Sequence, residues 1–270
     1  MSKPTLRRGD RNDAVEELQA LLNKVGALLK PDGDFGAGTE RAAKEAQALA
    51  GQAQTGVADE PLWTWLAAQP DPSPDLPTEV VVFIVAEEIG GRAFYEKVAC
   101  LPQFPGASSG VTIGVGYDLR FNTRADFDRD WGAELPGAQM ELLRPHLGKP
   151  GTQQAVDGLR SIRVPFGAAW RVFLRTSLPK FIGKTRQTFP GYDGLSGLRR
   201  GILVSLVYNR GESMSGDDSR REMRAIRDLV AAGRADDVPA QIQAMKRLWP
   251  PTSGLQGRRD REAALWRENG

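Results

Sequence analysis

Thiol and imidazole are nearly missing from this chain: there is one cysteine, Cys100, and one histidine, His146. A lone cysteine excludes an intramolecular disulfide and fits a chain folded in a reducing compartment. Zinc hydrolases draw on several His, Cys or carboxylate ligands, usually with two or more histidines, so no metal and no cofactor is expected. A nucleophilic Cys–His pair could only be Cys100 with His146, and no motif surrounds either residue. Cys100 reads as a small buried apolar residue, and His146 lies in an Arg-Pro-His-Leu-Gly segment that reads as a helix end. No apolar run reaches the ~18 residues of a membrane span, and Met1-Ser2-Lys3-Pro4-Thr5 lacks the apolar stretch of a secretory signal. The expectation is a chain made in the cytoplasm without a signal peptide. No basic and aromatic array points to nucleic acid.

What is present divides the chain. Residues 1–69 hold eight Lys/Arg against ten Asp/Glu, and residues 79–270 hold 28 against 22, so the larger part suits an anionic polymer. Pro70-Asp71-Pro72-Ser73-Pro74-Asp75-Leu76-Pro77 concentrates prolines in a way that favours an extended, semi-rigid spacer. Domains are therefore expected at 1–69 and 79–270, with 70–78 as the linker.

In the first part, Asp13 can cap a helix whose Val15, Leu18, Leu21, Leu22 and Val25 keep helical spacing until Gly26. After Pro31-Asp32-Gly33-Asp34-Phe35-Gly36, Thr39 starts a second helix through Ala42, Ala43, Ala46 and Leu49. A third begins near Asp59 with Pro61 in its first turn. These segments resemble the peptidoglycan-binding domain family: Leu6-Arg7-Arg8-Gly9-Asp10, Leu18-Gln19, Asp32-Gly33-Asp34-Phe35-Gly36 with Thr39, and Thr55-Gly56-Val57 follow its signature in order. Ala46 departs from it, where the family usually has phenylalanine. The resemblance implies a three-helix module with Asp34, Phe35 and Thr39 as candidate wall-binding residues.

In the second part, Val80 to Ala86 is a continuous apolar run that could be a buried strand or a buried helix, ending in Glu87-Glu88. Val111-Thr112-Ile113-Gly114-Val115-Gly116-Tyr117-Asp118 alternates β-branched residues with glycine, as a short, closely approached strand does. Helical signals dominate from Asn122-Thr123 onward: Ile202 to Tyr208 is apolar enough for a domain centre, Met223, Ile226, Leu229 and Val230 run to Gly233, and Asp236-Asp237 with Pro239 opens another helix. The class expected from these signals is mainly α with one small sheet, which the resemblance of the next segments makes an α+β domain with one small β-hairpin sheet.

Glycosidic bonds are usually broken by two carboxyl groups, one protonated at the leaving oxygen and one ionised. Glu88, at the end of an apolar element, fits the first role, and Asp118, in a polar setting, the second. Ser109 to Leu119 resembles the active-site hairpin of phage-type lysozymes, especially pesticin-like muramidases, in which a glutamate precedes the hairpin, a threonine lies in its Thr-Ile-Gly step and an aspartate follows the Gly-Tyr pair. The similarity continues through Leu203 to Gly211, Met245 to Trp249, and Gly257-Arg258-Arg259 with Glu262. The family's glutamate lies seven residues before a tyrosine, and Tyr95 selects Glu88 over Glu87.

The resemblance implies a lysozyme-like fold that hydrolyses the β-1,4 bond between N-acetylmuramic acid and N-acetylglucosamine. Glu88 would be general acid, Asp118 would orient water or stabilise oxocarbenium charge, and Thr112 would position that water. Tyr117, Asn209, Arg210 and Arg258 are candidate substrate-binding residues, and Arg259 is a further candidate for wall carboxylates. Peptidoglycan, in the periplasm or cell wall, is the expected partner. A phage endolysin working with a holin and a secreted effector with its secretion machinery and immunity protein both fit. The rivals are a lytic transglycosylase and an inactive wall-binding protein.

Overall fold

The computed structural model describes residues 3–106 and 108–268. The chain folds as two compact units, residues 1–86 and 87–270. This division falls eight residues beyond the end of the proline-rich segment expected to be the linker. Among the described residues, no helix is long and apolar enough to cross a membrane.

The first unit is built on α1 (Asp13–Lys24), α2 (Ala37–Leu49) and α3 (Glu60–Ala67). Asn12, not Asp13, caps α1: its side chain accepts from the Val15 amide, which moves the expected start by one residue. Gly36 precedes α2, three residues before the expected Thr39, and Asp59 caps α3 through the Leu62 amide. Val15, Leu18 and Leu22 of α1 meet Ala42, Ala43 and Ala46 of α2 and Leu62, Trp63 and Leu66 of α3 in one core, so Ala46 is itself a core residue. Burying each leucine in it contributes roughly 1.5–3 kcal/mol.

Two buried glutamines organise the loops of this unit. The Gln19 amide donates to Asp32, to the Asp34 carbonyl and to Thr39, while its carbonyl accepts from the amides of Asp32 and Gly33. Gln47 does the same for Thr55, Gly56 and Val57. The proline-rich segment is not a plain extended spacer. Ser73 is buried and its hydroxyl accepts from the amides of Asp75 and Leu76, and Asp71 pairs with Lys24 of α1 at 3.1 Å.

Helix α4 (Thr78–Ile89) settles the reading of the apolar run: it is a helix, with Val80, Val81, Ile84 and Val85 fully buried. A run apolar on every side gives no periodicity, and burial all round is what such a helix requires. Gly90 and Gly91, both at positive φ, end it after Ile89, one residue past Glu88.

The second unit continues with a single turn α5 (Arg92–Phe94) that passes into a π turn at Tyr95–Ala99, and then the two-stranded antiparallel hairpin β1 (Thr112–Ile113) and β2 (Tyr117–Asp118). The helices that follow are α6 (Arg124–Trp131), α7 (Gly137–Leu143), α8 (Gln153–Asp157), α9 (Phe166–Val172), α10 (Leu178–Thr188), α11 (Gly197–Arg210), α12 (Arg221–Ala231), α13 (Val238–Ala244) and α14 (Gly254–Arg267). Thr123 closes a capping box at the start of α6. Helix α11 is the axis of the unit, buried from Gly201 to Val207 and packed against α10 and α14.

Candidate active site

Glu88 stands at the last turn of α4, mostly buried, with one carboxylate oxygen accepting from Arg258 Nη1 of α14 at 2.7 Å. Its neighbour Glu87 meets a different arginine, receiving two bonds from Arg261, so the two adjacent acids are sorted by partner. Against burial, the charges of Glu88 and Glu262 hold the Arg258 guanidinium above its ordinary pKa. Arg258 is itself buried, and spends its remaining donors on Glu262 and on the carbonyl and hydroxyl of Ser205. Expected to bind substrate, it lies buried with one donor on Glu88.

The hairpin is tied to α11 by Tyr208, whose hydroxyl donates to the Val115 carbonyl at 2.7 Å. Burial, with the Glu88 charge next in effect, drives the Tyr208 hydroxyl upward, so it stays a donor. Glycine is required at the tip: a Cβ on Gly116, at φ +68, would lie 2.9 Å from the Tyr208 hydroxyl, and one on Gly114, at φ +60, would lie 2.8 Å from the Trp131 ring. Tyr208 was not expected from sequence to matter, and its place at the end of an apolar helix run is the only signal that could have found it.

Thr112 and Asp118 are register partners across the hairpin, so their side chains share a face. The Thr112 hydroxyl oxygen is buried and has no hydrogen-bond partner among the described residues. Asp118 is heavily engaged: its carboxylate accepts from the Gly110 and Arg120 amides, the latter capping the 3-10 turn Leu119–Phe121. It therefore works first as the clasp of the hairpin.

Other expected residues take structural places. Tyr117 is in the core, donating to Asp130 at 3.0 Å and packed edge-on against Trp131, so burial keeps it from acting as a surface contact. Asn209 accepts from Arg259 at 3.3 Å. Arg210 lies over the Trp249 ring and donates to the Ser219 carbonyl; burial, with Arg220 beside it, lowers its guanidinium pKa. In the first unit Phe35 is fully buried and Thr39 is buried against Gln19, so both shape the loop from inside, and Asp34 alone of the three keeps an exposed side chain, paired with Arg11 at 3.0 Å. Cys100 contacts Glu96 and Arg163, and burial lowers the pKa of His146.

Residues 11–66 match the model of the peptidoglycan binding domain family. Among solved structures, the crystal structure of the Burkholderia AP3 phage endolysin is similar at 18% identity, covering 87% of this chain and 98% of that one with a TM-score of 0.24, a value too low to carry an argument. No curated protein matches the chain.

Proposed function

With a peptidoglycan binding domain over residues 11–66 as the premise, we propose that residues 79–270 are a muramidase that hydrolyses the β-1,4 bond between N-acetylmuramic acid and N-acetylglucosamine. The observation that carries this reading is Glu88 itself: a carboxyl at a helix end, held on one oxygen by a buried arginine, beside the tyrosine that anchors a glycine-tipped hairpin. An acid held at one oxygen can present the other to a leaving glycosidic oxygen, which is the general-acid half of glycoside cleavage. The unsatisfied Thr112 hydroxyl supports the other half, because a buried donor without a partner is suited to hold a water. Asp118 fixes the strand that carries Thr112 and adds negative charge on the same face, favourable to oxocarbenium character. The family resemblance of the hairpin and of the α11 and α14 segments supports the same bond.

The engagement of Asp118 with backbone amides favours a second reading, a lytic transglycosylase, which manages with one glutamate because the muramic acid hydroxyl closes a 1,6-anhydro ring. Digestion of sacculi followed by mass spectrometry separates the two. Hydrolysis leaves reducing-end muramic acid, and muropeptides lighter by one water throughout would establish the transglycosylase instead. In the same assay Glu88→Gln should clear cell-wall suspensions at least about a hundredfold more slowly, the scale of a lost general acid. Glu87→Gln should change the rate little, and the reverse pattern would move the role to Glu87.

A further inference from the structure

Through Arg258, Glu88 is joined to a buried charge cluster. Glu262 of α14 is fully buried, with its Oε1 accepting from Ser205 at 2.6 Å, from Arg258 Nε at 3.1 Å and from Arg259 Nη2 at 3.0 Å. Its Oε2 lies 2.8 Å from Arg259 Nε, close enough for an ion pair though off the line of a hydrogen bond. Both oxygens thus face guanidinium groups, and burial pushes the Glu262 carboxyl up against the opposing pull of Arg259 and Arg258. Arg259 is also fully buried, and burial brings it down to about 10, which still leaves it charged at neutral pH.

With both carboxyls ionised, Glu88 and Glu262 would match the two positive charges of Arg258 and Arg259. Around Glu88 the other ionisable groups are accounted for: Glu87 on the same helix is paired with Arg261, Tyr208 from α11 stays protonated, and Asp118 of the hairpin is held on backbone amides. Among the described residues, Glu262 is therefore the one negative group that divides the charge of Arg258 with Glu88.

We propose that Glu262 is a positioning residue for Glu88, anchoring Arg258 so that it grips a single oxygen of Glu88 and dividing the charge of that guanidinium between the two carboxyl groups. The inference rests on the reading of Glu88 as general acid. A general acid must be protonated, so activity falls on the alkaline side as it ionises. Replacing Glu262 by glutamine leaves an excess positive charge beside Glu88, which favours its ionised form and shifts the alkaline limb to lower pH. Replacing Arg259 by glutamine removes a positive charge and frees Glu262 to hold Arg258 more fully, so the limb moves the other way.

The test is the pH–activity profile of the full chain and of Glu262→Gln, Arg259→Gln and the double variant, with the Glu88 carboxyl titration followed by carbon-13 NMR in each. The expected result is a limb lowered by about one pH unit in Glu262→Gln, equivalent to about tenfold at a fixed pH on that limb. Arg259→Gln should raise it, and the double variant should return it close to wild type. Loss of fold alone lowers activity without producing shifts of opposite sign. If Glu262→Gln does not fold, Arg259→Gln decides: a limb that stays in place or moves down overturns the proposal. The NMR titration needs no turnover. If the Glu88 midpoint moves as expected while Glu88→Gln remains active, the positioning stands and the general-acid reading falls. If the midpoint stays fixed in every variant, the positioning falls whatever the activity.

Discussion

Tyr208 shows how one hydroxyl can join two parts of a site. It lies near enough to the Glu88 carboxylate to feel its charge, and it donates to the carbonyl of Val115 between the two tip glycines. Phenylalanine at 208 would keep the ring contacts with Phe173 and Phe181 but leave that buried carbonyl unpaired, a cost of about 1–3 kcal/mol. Tyr208→Phe should therefore lower the melting temperature by a few degrees and slow wall cleavage on the order of tenfold, as thermal unfolding and a turbidity assay would read. An unchanged rate would mean that the hairpin holds its shape without this tether. At this scale the sequence was legible only in part. Helical spacing left Glu87 and Glu88 equivalent, both following apolar residues by four and seven; the preference for Glu88 came from the resemblance, whose glutamate lies seven residues before a tyrosine, here Tyr95. The roles of Tyr117, Phe35 and Thr39 could not be read, because an aromatic or hydroxyl side chain next to a glycine loop suits a ligand or a core equally well, and only burial separates the two.

Among the elements, the segment between α11 and α12 carries a cap that depends on pH. Asp217 caps the 3-10 turn Asp218–Arg220, and the hydroxyls of Ser215 and Ser219 bring its carboxyl down to about 2. A carboxyl lowered below its unfolded value of about 3.9 contributes stability that is fully present above that value and is lost as pH falls toward the folded one. The turn should therefore loosen between about pH 4 and pH 2. Amide exchange at Ser219, corrected for the intrinsic rate, should rise across that window and should already be fast in Asp217→Ala; protection that stays flat to pH 2 would contradict the cap. The helix starts were legible to within one to three residues, since caps and prolines act on the next few amides. The α4 run was not assignable by periodicity, because a stretch apolar on every side carries none.

For the molecule as a whole, the boundary matters because α4 spans it: the first compact unit ends at Ala86 and the second begins at Glu87, inside the helix that carries Glu88. Residues 79–270 keep nearly all of that helix, whereas 87–270 would place Glu88 second in the chain with no helix to hold it. The first fragment should cleave soluble wall fragments at close to the full rate and intact walls more slowly, because tethering no longer raises local concentration. The second should be inactive, and residues 1–69 should sediment with insoluble peptidoglycan and release nothing. Activity in 87–270 equal to that of 79–270 would show that α4 is dispensable.

While the family resemblance supplied the hairpin and the set Glu88, Thr112 and Asp118, local pattern by itself determined the three helices of the first unit, the helical stops at Gly26 and Gly233, and the glycine-interrupted β segment at residues 111–118. Each depends on backbone preferences and side-chain periodicity within a few residues. Tertiary structure alone decided that Glu88 would be held by Arg258 across 170 positions and Glu87 by Arg261, that Asp118 would spend its oxygens on backbone amides, and that Glu262 would be buried between two arginines. A chain with 36 basic and 34 acidic residues has far more opposite-charge pairs than it can form, and the packing of α11 with α14 selects among them.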